Sequence, residues 1–173
     1  MKIQRPFNFK KWIDDHRDLL KPPVGNQCVY EASEDFIVMV VGGPNQRKDF
    51  HYNEGEEFFY QLEGDITLKI IEDGNPVEIP IRAGEIFLLP PKVPHSPQRP
   101  ANTIGLVIER TRKSSETDGL MWFCDKCHEK IHEEFFSLQQ PKDIVVKMKS
   151  LIAGFKESED KRKCRSCGSV LSV

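Results

Sequence analysis

This chain of 173 residues has no apolar run approaching the ~20 residues that a membrane helix needs. Nor does its start carry a basic stretch, an apolar stretch and a small-residue cleavage site in succession, the form of a secretory leader. Those two absences lead to the expectation of a cytoplasmic protein with no membrane partner. An excess of charge of one sign is also missing: 25 Lys and Arg stand against 27 Asp and Glu, a formal net charge of −2, spread along the whole sequence. Without a basic face or a helix-turn-helix pattern, nucleic acid is not an expected partner, and Lys161-Arg162-Lys163 reads as a solvated turn. Internal repeats and low-complexity stretches are absent too. Cysteine is sparse, with five residues. In a cytoplasmic setting these are thiols or metal ligands rather than a disulfide framework. Cys28 stands apart from the other four and is expected to be a small buried hydrophobe.

The length fits one domain, or one domain with a small annex. Asn8 can cap a helix in which Phe9, Trp12, Ile13, His16, Leu19 and Leu20 recur at three- and four-residue spacing, and Lys21-Pro22-Pro23 stops it. His16 lies on that apolar stripe as a packing residue. From 27 to 110 the texture changes to short apolar or alternating runs at 36–41, 57–62, 66–71, 77–81, 86–89 and 104–108, broken by Gly, Pro and Asn. Such a series implies an all-β sandwich or barrel, with Glu72-Asp73-Gly74-Asn75 as a hairpin turn. The polar stretch 112–118 reads as a linker. Beyond it, Ile144, Met148, Leu151, Ile152 and Phe155 share one helical face that should dock on the barrel or on a partner subunit. The expected division is therefore 1–111, a barrel with its N-terminal helix, and 112–173, a small C-terminal metal-bound module docked on it.

Two motifs carry chemistry. The first reads Gly43-x7-His51-x-Asn53-x3-Glu57-x6-Gly64 and the second Gly84-x5-Pro90-x4-His95. Two imidazoles and one carboxylate can hold one face of an octahedral metal and leave three positions open, the arrangement of non-haem Fe(II) oxygenases. This pattern resembles the cupin family, whose motifs sit on strands facing into a small jelly-roll barrel. Where many cupins have His-x-His, this chain has His51-Tyr52-Asn53, so the ligand set implied is His51, Glu57 and His95. Lys92 replaces the usual glycine of the second motif, and Arg99 stands where that motif often ends in asparagine. Glu54 and Glu56 are nearby carboxylates, but Glu57 alone has the spacing to Gly64, and strand alternation separates Glu56 from its face.

The flanking residues narrow the resemblance. Lys21-Pro22-Pro23-Val24-Gly25-Asn26, Val41-Gly42-Gly43-Pro44-Asn45, Glu56-Glu57-Phe58-Phe59-Tyr60-Gln61-Leu62, Phe87-Leu88-Leu89-Pro90-Pro91, His95-Ser96-Pro97-Gln98-Arg99-Pro100 and Val107-Ile108-Glu109-Arg110 are all similar to the 3-hydroxyanthranilate 3,4-dioxygenase family. The resemblance implies a homodimeric cupin enzyme with catalytic Fe(II) that takes 3-hydroxyanthranilate and O2 to 2-amino-3-carboxymuconate semialdehyde, the precursor of quinolinate in NAD synthesis or tryptophan breakdown. A substrate with adjacent hydroxyl and amino groups could fill two of the three open positions and dioxygen the third. Arg47 and Arg99, each four residues from a histidine ligand, are the implied clamp for the substrate carboxylate, since a guanidinium grips a carboxylate with paired hydrogen bonds. Glu109 interrupts an apolar run and is implied to accept a proton at the substrate's amino or hydroxyl edge. Asn26 either orders a lid over the substrate or serves a turn.

Cys124-Asp125-Lys126-Cys127 and Cys164-Arg165-Ser166-Cys167 are two Cys-x-x-Cys knuckles, a strong signal for a tetrahedral thiolate site of structural role. Zinc and a single iron both fit four thiolates. Cys124 to His128 also spells the attachment motif of a c-type haem, but the second knuckle and the missing leader argue against it. His128 and His132 are spare donors that a completed tetrahedron does not need. Two other functions fit the same residues: a cupin dioxygenase for another small aromatic carboxylate, and a non-enzymatic cupin ligand sensor whose cysteine module contacts a partner.

Overall fold

The computed structural model describes residues 5–21, 25–30, 33–137 and 143–172. Helix α1 (Phe9–His16) starts where expected, because the Asn8 side chain accepts the Lys11 N–H at 2.9 Å. A 3-10 turn, Arg17–Leu20, continues it. His16 is a packing residue, stacked on Trp12 with ring centroids 4.1 Å apart and its Nδ1 2.7 Å from the Trp12 carbonyl. Pro22, Pro23 and Val24, read as part of the helix stop and of a lid, lie outside the described residues.

Eleven strands follow among the described residues: β1 (Asn26–Cys28), β2 (Phe36–Gly42), β3 (Asp49–Tyr52), β4 (Glu57–Glu63), β5 (Ile66–Glu72), β6 (Asn75–Ile81), β7 (Ile86–Leu89), β8 (His95–Gln98), β9 (Ile104–Arg110), β10 (Asp118–Phe123) and β11 (Lys130–Phe136). They form two antiparallel sheets, β1-β2-β9-β4-β7 and β11-β10-β3-β8-β5-β6, the expected β-sandwich. The β5–β6 hairpin turns through Asp73 and Gly74, both at positive φ (49° and 80°) with Glu72 opposite Asn75, as a two-residue turn matched to strand twist requires.

Phe59, Ile66, Leu68, Ile70, Ile81, Leu89 and Val107 fill the space between the sheets. Helix α1 covers the other face of the five-stranded sheet, where Ile13 and Leu20 meet Val40 and Ile104. Helix α2 (Asp143–Glu157) docks through Phe155, Met148, Leu151 and Ile152 onto Leu120, Trp122 and Phe136, and Phe155 stacks on Trp122 at 4.1 Å. A one-turn helix, α3 (Glu159–Arg162), leads into the last cysteine pair.

Two expectations are corrected. The stretch 112–118 is not a linker, because Arg112 and Asp118 are tied into a buried hydrogen-bond network and β10 pairs directly with β3. A boundary at 111/112 would therefore cut the six-stranded sheet, of which β10 and β11 are members. Cys28 is exposed, not buried. It ends the edge strand β1, which pairs with β2 alone.

Lys92 sits at φ 67°, the left-handed region where a Cβ costs ~1–2 kcal/mol. Its side chain is largely exposed and 3.7 Å from Glu54, a pair worth little. Lys92→Gly removes that strain at some cost in unfolded-chain entropy. The expected outcome is a gain of about 0.5–1 kcal/mol, read as a rise of ~1–4 °C in a thermal melt.

Candidate active site

Alternation along β4 turns Glu57, Phe59 and Gln61 inward, and the register with β9 sets them opposite Glu109, Val107 and Gly105. From the other sheet, β3 and β8 set His51 directly opposite His95. Two imidazoles and a carboxylate thus meet across the sandwich, all three buried, each offering a donor atom within 4.8 Å of the others. His95 donates Nδ1–H to the Val93 carbonyl at 3.0 Å, which leaves Nε2 facing Glu57 Oε2 at 3.1 Å. Nε2 of His51 lies 2.7 Å from Asp118 Oδ1.

The electrostatics follow from burial and from these partners. Burial alone would raise the Glu57 carboxyl, but the charge and hydrogen bond of His95 overcome it and hold the group at about 2. Burial works to lower His95, yet Glu57 beside it lifts it above the ordinary histidine value. For His51 burial wins, and its pKa is lowered despite Asp118. Two imidazoles and one carboxylate at the meeting of two sheets, each ring with a hydrogen-bond partner of its own, match the donor chemistry of a catalytic metal site.

Glu109 is brought close to this group. Burial and the charge of Glu57 push its carboxyl up to about 7, against the pull of Arg112. Arg112 donates to Glu109 Oε2 at 2.7 Å and grips Asp118 with Nε and Nη2, at 2.9 and 2.7 Å. Asn53, at the position where many cupins carry a further histidine, points its amide N–H2 at both Glu57 and Glu109, 3.3 Å from each. That asparagine bridges two carboxylates in place of serving as a ligand.

The two arginines differ. Arg99 follows β8 and pairs by backbone with Asn45 in an isolated bridge. It is 2 % exposed, its Nη1 donates to Gln61 Oε1 at 3.3 Å, and among the described residues it makes no ion pair. Burial pulls its pKa down to about 10, against the charge of Glu57. Gly105 makes room for it: a Cβ there would stand 2.7 Å from Gln61 Oε1 and 2.9 Å from Arg99 Nη1. Arg47 is half committed, since Asp49 takes its Nε at 3.0 Å and its Nη2 in a shorter contact. Both arginines, Asn26, His51, Glu57, His95 and Glu109 line one cavity of ≈ 550 Å³, which runs from the inner strands out to Met148 and Lys149 of α2. A buried guanidinium with no anion is costly unless an anion arrives. The cavity is therefore suited to a carboxylate.

The four cysteines Cys124, Cys127, Cys164 and Cys167 also converge, with sulfurs within 4.8 Å of one another. The two knuckles repeat one backbone pattern. His128 N–H donates to Cys124 C=O and Gly168 N–H to Cys164 C=O, both at 2.9 Å, and His128 and Gly168 both have positive φ (63° and 74°). His128 thus closes a turn, and His132 bonds Glu134 at 2.8 Å, so neither belongs to the cysteine cluster. Ser169 Oγ lies 3.1 Å from Cys124 and 3.0 Å from Cys167, and with neighbouring backbone N–H groups it draws the Cys124 thiol down to about 6.

Asp49, Asn53, Arg112, Asp118 and Ser169 were not legible as site residues. Asn53 had a signal, its motif position. Asp118 and Arg112 carry none: Asp118 meets His51, 67 residues away, and Arg112 joins it from a polar stretch that reads as a linker.

The sequence pattern of the family described as 3-hydroxyanthranilic acid dioxygenase matches this chain over residues 1–156. A Xanthomonas campestris protein named 3-hydroxyanthranilate 3,4-dioxygenase is 53 % identical over 165 residues, 95 % of this chain and 91 % of that one. A Burkholderia cenocepacia protein of the same name is 51 % identical over 167 residues, 96 % of this chain and 92 % of that one. A crystal structure of a cupin-2 domain protein from Shewanella frigidimarina aligns at TM-score 0.47 and 20 % identity, covering 57 % of this chain and 92 % of that chain. With its family pattern matched over residues 1–156 and relatives more than half identical along nearly its full length, the chain belongs to the 3-hydroxyanthranilic acid dioxygenase family, whose members imply a metal at the site just described.

Proposed function

We propose that this protein opens the ring of 3-hydroxyanthranilate between the hydroxyl-bearing carbon and its unsubstituted neighbour, adding both atoms of O2 to give 2-amino-3-carboxymuconate semialdehyde. The observation that carries this reading is the buried guanidinium of Arg99, which makes no ion pair among the described residues, in the same cavity as the His51, Glu57 and His95 donors. Those three residues would hold Fe(II), which when bound lets dioxygen and an electron-rich ring exchange electrons that they otherwise exchange slowly. Arg99 receives the substrate carboxylate, with Arg47 adding what Asp49 leaves available. Phe59 and Val107 give the ring an apolar bed. Glu109, with its pKa raised to about 7, accepts a proton from the amino or hydroxyl edge. Asn26, which lines the same cavity, would border the substrate. A homodimer in the cytoplasm is part of the same reading. The testing experiment is oxygen uptake by Fe(II)-loaded protein given 3-hydroxyanthranilate.

Cys124, Cys127, Cys164 and Cys167 would hold zinc or a second iron whose work is structural, since four thiolates leave no position for substrate. That metal would tie the β10–β11 turn to the chain end and so fix α2, which walls the catalytic cavity. Cys164→Ser with Cys167→Ser is expected to lose one metal equivalent, lower the melting temperature and expose Lys147 and Lys149 of α2 to trypsin. Turnover per catalytic metal should stay within ~2-fold, with any loss appearing in KM. A collapse of kcat per catalytic metal in folded protein would make the second site a participant in the chemistry.

A further inference from the structure

Arg112 reaches both halves of the site with a single side chain. One edge of its guanidinium grips Asp118 through Nε and Nη2, at 2.9 and 2.7 Å. The remaining nitrogen, Nη1, donates to Glu109 Oε2 at 2.7 Å. Asp118 in turn lies 2.7 Å from His51 Nε2, and Glu109 shares the amide of Asn53 with Glu57. The chain His51, Asp118, Arg112, Glu109, Asn53, Glu57 therefore links two of the three metal-donor side chains to the carboxylate that faces the substrate. Every member is buried or nearly so, with Arg112 8 % and Asp118 0 % exposed.

We propose that Arg112, acting through Asp118 and Glu109, is a positioning residue that orients the His51 ring and the Glu109 carboxylate as one unit. A guanidinium suits this because its planar fork sets two carboxylates at fixed angles. A lysine ammonium is a point charge and leaves at least one of them to turn. The inference rests on the proposed function for Glu109 and on the donor set for His51, and the two are read separately.

Asp118→Asn, Arg112→Ala and Arg112→Lys are compared with Arg110→Ala. Arg110, the last residue of β9 and two before Arg112, makes an equally close pair with Glu116, two contacts of 2.6 Å, while Asp118 and Glu109 pair with Arg112 instead. Co(II) affinity, measured by competition with a chromophoric chelator, reads the orientation of His51. The kcat of Fe(II)-loaded protein reads that of Glu109. Loss of a group that orients a metal-binding imidazole weakens metal ~10–100-fold, so Asp118→Asn and Arg112→Ala are expected to weaken Co(II) by at least ~10-fold. Arg112→Lys keeps the cation and the fold; it is expected to recover most of the Co(II) affinity while kcat stays ~10-fold down at nearly unchanged KM. Arg110→Ala should leave both readouts within ~2-fold, which separates positioning from loss of a nearby ion pair. Wild-type Co(II) affinity and kcat in both Arg112 variants would overturn the inference. If wild-type protein does not open the ring at all, the functional reading fails, and the Co(II) measurements still decide whether Arg112 orients His51.

Discussion

Replacing His51, Glu57 or His95 with alanine is expected to abolish ring cleavage and to lower bound catalytic metal, while the fold survives. The three donors are buried and mutually within 4.8 Å, so removing one leaves two, too few to hold a cation against water. Loss of turnover should exceed ~10³-fold, more than any other substitution proposed for this chain. The fold should tolerate the change, because the core that joins the sheets, Phe59 to Val107, is built from neighbouring inward residues. Loading with Zn(II) should fill the same donors and give inactive protein, because zinc has no redox chemistry. Metal retention with near-normal turnover in all three variants would remove the donor assignment.

Arg99→Ala should have the next largest effect. A charge-assisted contact to a carboxylate contributes ~1.5–3 kcal/mol, so turnover of 3-hydroxyanthranilate should fall roughly 10–150-fold in kcat/KM. 2-Aminophenol has the same hydroxyl and amino pair without the carboxylate and should lose far less. Arg47→Ala should follow the same pattern with a smaller loss, since Asp49 already engages that guanidinium, while Arg99 has no ion-pair partner among the described residues. Equal losses on both substrates would make Arg99 a structural or oxygen-facing residue.

Much of this was legible in the sequence where the signal is local. The Asn8 cap, the hairpin turn and six of the strands follow from spacing and turn residues. The convergence of His51, Glu57 and His95 is legible because two motifs fix their spacing, although no apolar or alternating run marks the strands that carry the histidines, β3 and β8. Each has only four residues, and β8 contains Pro97. Strand β10 carries no such signal for a different reason: Asp118, Gly119, Leu120, Met121 and Trp122 are all buried, so the alternation that marks a half-exposed strand is absent. Reading 112–118 as a polar linker then hid Arg112 and Asp118, whose polarity serves buried partners in other strands. Cys28 departs from the expectation because the general burial habit of cysteine says nothing of a particular edge strand.

The central claim is tested most directly by supplying anaerobic, Fe(II)-loaded protein with 3-hydroxyanthranilate, admitting ¹⁸O2, and trapping the ring-opened product before it cyclises. The expected result is one O2 consumed for each ring opened, with both labelled atoms in the product. Oxygen uptake no greater than that of Fe(II) without protein, or a product carrying only one labelled atom, would contradict it.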